Sequence, residues 1–123
     1  MDIKHIDDEA TARKLLNCIA EAYGFDSAYL AYGHRGSVIK FIKKNDKCLN
    51  GGSYVVRTVV KSFEYPKALK ELLNNLDRQG QVLMAEDNTI FDVPAFYLKK
   101  EDVFSNGILK FEAALMGVSM YDR

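Results

Sequence analysis

The residues best suited to chemistry or anion recognition in this chain are cations, and they cluster. Gly33-His34-Arg35-Gly36 sets an imidazole and a guanidinium between two glycines. At a loop tip such a pair, with the adjacent backbone amides, can bind phosphate or carboxylate. With lysines nearby, His34 as base and Arg35 as charge stabiliser would also suit a small nuclease-like enzyme. The plainer reading is that the glycines serve turn geometry and both cations are solvated.

Lys40, Lys43, Lys44, Lys47, Arg57 and Lys61 extend the cluster. Residues 35–70 hold nine basic and two acidic side chains, whereas residues 1–34 hold three and six, and residues 71–123 hold five and nine. The 17 basic and 17 acidic groups therefore cancel in sum but not in place. A strand alternates its side chains between faces, so Arg57 and Lys61 should point the same way, with Lys40 joining them across the ladder. Such a face would bind an acidic protein or, with aromatics nearby, nucleic acid. The plainer reading is that these cations face solvent or pair with the acidic helices and the acidic C-terminal half, and a sequence pI near 6.7, well below that of typical nucleic-acid binders, favours it.

Other reactive side chains form no recognisable constellation. Cys18 falls about 130° around its helix from the centre of the apolar stripe, one turn after Lys14, where a cation would favour thiolate; a lone helix cysteine is more often a packing residue. Cys48 stands beside Lys47 in a polar stretch. Glu86, Asp87, Asp92, Glu101 and Asp102 fit neither a calcium loop nor a paired-acid motif and read as solvated charge. No phosphate-binding glycine loop, dinucleotide fingerprint or nucleophile elbow occurs. With two histidines and two cysteines at unsuitable spacing, no metal site is expected, and no cofactor and no catalytic residue is assigned.

The elements that must hold these groups follow from periodicity. Behind Asp7 and Asp8, the positions Ala12, Leu15, Leu16, Ile19, Ala20 and Tyr23 predict a helix that ends at Gly24. Ala28–Tyr32 and Val38–Ile42, joined through residues 33–36, predict a hairpin. Tyr54–Val60 suits a helix by spacing but a strand by its β-branched content, and is assigned as strand. Pro66 opens a second helix whose stripe is Leu69, Leu72, Leu73 and Leu76. Val82–Ala85 and Thr89–Val93 predict a second hairpin around residues 86–88. Ser105 could cap a helix through Leu115, although Asn106-Gly107 also suits a turn into a strand.

The chain is thus expected to form one α+β domain over residues 1–123, with helices packed on a mostly antiparallel sheet in the order α-β-β-β-α-β-β-(α). Its first five elements resemble a double-stranded-RNA-binding domain in order. Such a domain carries a Gly-Pro-x-His loop and a lysine cluster opening its second helix. Gly33-His34-Arg35-Gly36 and Pro66-Lys67-Ala68-Leu69-Lys70 match these only in part, and element order carries no function by itself.

At 123 residues and 48% apolar content, an ordinary hydrophobic core suffices and wholesale disorder is excluded. No apolar run approaches the ~18 residues needed to cross a bilayer, and no signal-peptide pattern opens the chain, so a cytoplasmic protein without a membrane partner is expected. Residues 108–120 would be apolar on nearly every side of a helix, which suggests either core or a homodimer interface. The functional expectation is a non-enzymatic protein-interaction module, such as a small inhibitor, an immunity protein or an accessory protein of a mobile element or phage. The alternatives are a nucleic-acid binder using residues 35–61 and a small nuclease using His34.

Overall fold

Asp8 caps the first helix, α1 (Glu9–Ala22): its Oδ2 accepts hydrogen bonds from the Thr11 amide at 2.9 Å and the Thr11 hydroxyl at 2.6 Å. A computed structural model describes this helix within residues 5–33, 36–44, 53–85 and 95–115. Ala12, Leu15, Leu16, Ile19 and Ala20 are fully buried, as their spacing predicts. Tyr23, also expected in the core, is only partly buried, because it is the helix C-cap and its hydroxyl serves two polar groups of the C-terminal half.

Strands β1 (Ser27–Gly33), β2 (Gly36–Lys44) and β3 (Ser53–Val60) form an antiparallel sheet in that order. Gly33 pairs directly with Gly36, so the connection expected to span four residues shortens to His34-Arg35, which lie outside the described residues. Gly36 has φ +127°, a conformation that side chains with a Cβ rarely adopt. One sheet face carries Ala28, Ile39, Phe41, Val56 and Val60 into the core beneath the helices. The β1 edge is closed by helix side chains: Asn17 accepts the Ala28 amide at 2.8 Å, and the Tyr65 hydroxyl accepts the Leu30 amide at 3.1 Å. Two strand-edge donors that would invite another chain are thereby occupied.

Helix α2 (Tyr65–Gln79) has Pro66 in its first turn and buries Tyr65, Ala68, Leu69, Leu72, Leu73 and Leu76. Glu71 on this helix accepts the Lys61 amide at 3.0 and 3.1 Å, just past the end of β3. Strand β4 (Gln81–Ala85) then pairs with β5 (Phe96–Lys99). The second strand expected at 89–93 lies outside the described residues; among those described, β4 has 96–99 as its partner. Long-range contacts select 96–99: Leu98 is fully buried opposite Val82, and the Lys99 amide donates to the Tyr23 hydroxyl.

The third helical run, α3, comprises a turn at Lys100–Asp102, a π-helical turn at Val103–Gly107 and an α-helix at Ile108–Leu115. It begins five residues before the expected cap; Ser105 lies inside it and donates to the Glu101 carbonyl at 2.6 Å. The Asn106-Gly107 turn is likewise not formed. Val103, Gly107 and Phe111 are all buried at a strict spacing of four. In an α-helix each such step overshoots a full turn by about 40°, and the wider π turn absorbs this drift. The resulting order α-β-β-β-α-β-β-α is a single small α+β domain with two antiparallel sheets.

Candidate functional site

The face of β1–β3 opposite the helices is set by the pairing register. Lys40 at the centre of β2 lies directly opposite Tyr29 on β1 and Arg57 on β3, forming one cross-strand row. On either side run Ala31–Val38–Val59 and Ser27–Ile42–Val55. Tyr29, Val55 and Val59 are exposed, Val59 to 65%, while Lys40 is half-buried among its neighbours. An apolar surround with two cations at its middle has the anatomy of a binding face.

The central row holds two like charges and no carboxylate. Directly opposed residues have Cβ atoms about 4.5–5.5 Å apart, a distance at which like charges destabilise a sheet. No described carboxylate forms an ion pair with Lys40 or Arg57. Charged groups pair elsewhere, as in Arg13–Glu9 at 3.4 Å, Lys67–Glu64 at 2.9 Å and Lys100–Asp77 at 3.3 Å.

The remaining expected cations are less concentrated. Lys43 and Lys44 are exposed at the end of β2, where the Lys44 amide donates to Asp26 Oδ2 at 2.8 Å. Lys61 lies beyond the last residue of β3, so it does not share the ladder with Arg57. His34, Arg35, Lys47 and Cys48 lie outside the described residues, as do Glu86, Asp87 and Asp92. The sequence pattern located the two central cations but not Tyr29, Val38, Ile42, Val55 and Val59, which complete the face. Strand alternation held that signal once the register was known.

Other groups are committed to packing. Cys18 is 5% exposed, a packing residue on the side of α1 away from the centre of the apolar stripe, with α3 packed against α1. Burial pushes its thiol pKa up and Glu21 adds to this, against weaker pulls from Lys110 and Lys14, so the site does not favour thiolate. Asp102 accepts the Tyr23 hydroxyl. Among the described residues no three His, Cys, Asp or Glu side chains converge as a metal site would require.

Two surface features lie away from the open sheet face. Tyr32, 76% exposed, stacks on Phe63 at a centroid distance of 5.2 Å, and by register it shares the side of buried Ser37. A cleft of about 540 Å³ between the starts of α1 and α2 is lined by Ile6, Asp7, Phe63, Pro66 and Lys70, among others. In the C-terminal region Leu109 and Leu115 are exposed and Phe111 is buried; residues 116–120 lie outside the described residues. No helix among the described residues is long and apolar enough to cross a membrane. Comparison with protein-family models, curated proteins and solved structures finds no match to the chain.

Proposed function

We propose that this chain is a non-enzymatic interaction module that docks an acidic partner protein on the open face of β1–β3. The observation that carries this reading is the directly opposed Lys40–Arg57 pair, which has no carboxylate partner among the described residues. Like charges in register cost stability, and such a departure from local optimum is expected where function requires it. The aliphatic rows beside the pair supply area to bury, and the pair supplies specificity for acid. A second copy packed symmetrically on this face would bring the cationic rows together, which favours a different partner. Small inhibitors, immunity proteins and accessory proteins of mobile elements or phages are the classes that its size and the lack of catalytic motifs allow, with a cytoplasmic location.

The alignment of Tyr29 with two cations favours nucleic acid as the second reading, since a ring and a positive groove are what a single strand uses. Against it, the exposed Tyr32–Phe63 stack lies on the other side of the sheet. Capture of partners from the native host with the wild-type chain and with Lys40→Glu/Arg57→Glu tests the proposal. A protein retained by the wild type, released by salt and lost in the charge-reversed variant is the expected result. Capture indifferent to both substitutions overturns it. A gel shift of single-stranded RNA or duplex DNA at tens of micromolar chain in low salt would support the second reading instead.

A further inference from the structure

We infer that the element received by the open face is one amphipathic acidic helix, lying along the strands with a carboxylate between two apolar turns. This rests on the docking role proposed above and specifies its occupant. Along β2 the face reads Val38, Lys40, Ile42, and along β3 it reads Val59, Arg57, Val55. Both strands therefore present apolar, cationic and apolar groups at steps of about 6.6–6.8 Å. Four residues of helix advance about 6 Å, so apolar, acidic and apolar residues on successive turns meet the same sequence of groups.

The dimensions agree. Three strands span about 10 Å between the axes of β1 and β3, the diameter of one helix with its side chains. An extended segment could match the spacing, but on a sheet face its backbone amides and carbonyls would find no ladder, whereas a helix pairs its own. Half-buried Lys40 is held between Tyr29 and Arg57, so an incoming carboxylate meets two donors in one row. Arg57 offers a planar fork for bidentate pairing and Lys40 a point charge beside it. With α1 and α2 on the other face, the bound helix completes a helix–sheet–helix sandwich.

The test uses the full chain and three 18-residue probes. The first is a stapled helix with leucine, glutamate and leucine on successive turns. The second replaces that glutamate with lysine, and the third is an unstapled scramble of the first. Amide resonances and dissociation constants are followed by NMR titration. The glutamate helix should perturb Tyr29, Val38, Lys40, Ile42, Arg57 and Val59, and bind at least about tenfold more tightly than either other probe. Lys40→Glu/Arg57→Glu should abolish that advantage, and Lys67→Glu, away from this face, should preserve it, with thermal melts confirming that both variants fold.

Equal binding of the glutamate and lysine helices, or perturbations away from this face, overturns the inference. So does failure of all three probes. If capture of a native protein still depends on Lys40 and Arg57, only the helical occupant is wrong; if capture is also indifferent, the docking role falls with it. Perturbation of the same residues by a single-stranded RNA oligomer but by none of the probes overturns both.

Discussion

The Tyr23 hydroxyl donates to Asp102 Oδ2 at 3.0 Å while accepting the Lys99 amide at 2.8 Å, tying the end of α1 to the junction of β5 and α3. Burial, reinforced by the Asp102 carboxylate and offset by the Lys99 amide, raises the Tyr23 pKa from 10.0 to about 12. Because the folded value exceeds the unfolded one, the contribution is full below pH 10 and is lost as pH rises through about 12. Denaturant melts from pH 8 to 12 should show a decline at the alkaline end that is smaller in Tyr23→Phe. At neutral pH that variant should lose about 1–2 kcal/mol, because the Lys99 amide and Asp102 lose their shared partner.

Gly107 allows α3 to approach α1. A Cβ at this position would lie 3.3 Å from Ile19 Cγ1 and 3.6 Å from Ile19 Cα. Alanine favours helix over glycine by about 1 kcal/mol, but crowding a packed contact costs about 1–3 kcal/mol. Gly107→Ala should therefore be neutral to about 2 kcal/mol destabilising, and Gly107→Val more so. Asn106→Ala, on the exposed side, should be neutral or stabilising in the same thermal melts.

Leu16 and Leu72 are buried to 0% and 1% exposure on the facing helices. Replacing either with alanine should cost about 2–5 kcal/mol, a large part of a small domain's stability. Urea titration of each variant gives the number. An unchanged midpoint would show that these faces do not carry the core.

The Lys40–Arg57 opposition separates stability from binding. Lys40→Thr removes one like charge and places a good strand former at the centre of β2, so the isolated chain should gain up to about 1 kcal/mol. Partner capture should fall in the same variant. A gain in melting temperature accompanied by undiminished capture would remove the functional reason for the pair.

Asp8 joins the Thr11 amide and hydroxyl at the start of α1, and these hydrogen bonds hold its carboxyl pKa below the ordinary 3.8. A depressed folded pKa stabilises above the unfolded value, and that contribution disappears as pH falls through the folded one. Asp8→Ala should lower stability at neutral pH, because the Thr11 amide loses its cap. Melts between pH 2 and 6 should show a shallower acid decline in the variant.

Both long helices and the three-stranded meander were legible because their burial patterns are local. Leu15, Leu16 and Ile19 recur at helical spacing, Leu69, Leu72, Leu73 and Leu76 do the same, and β-branched density marks β3. The excess of cations at 35–61 was equally plain, including Lys40 and Arg57. What the tertiary structure decided was partnership. Among the described residues β4 pairs with 96–99, where Leu98 is buried and the Lys99 amide meets Tyr23 76 residues away in sequence, a contact that no local pattern encodes. Cys18 was buried by α3, whose four-residue spacing needs a π turn that helical periodicity does not anticipate. The candidate face arose in the same way: strand alternation assigns sides, but only register places Tyr29, Lys40 and Arg57 in one row, and a one-residue slip would have sent Lys40 inward.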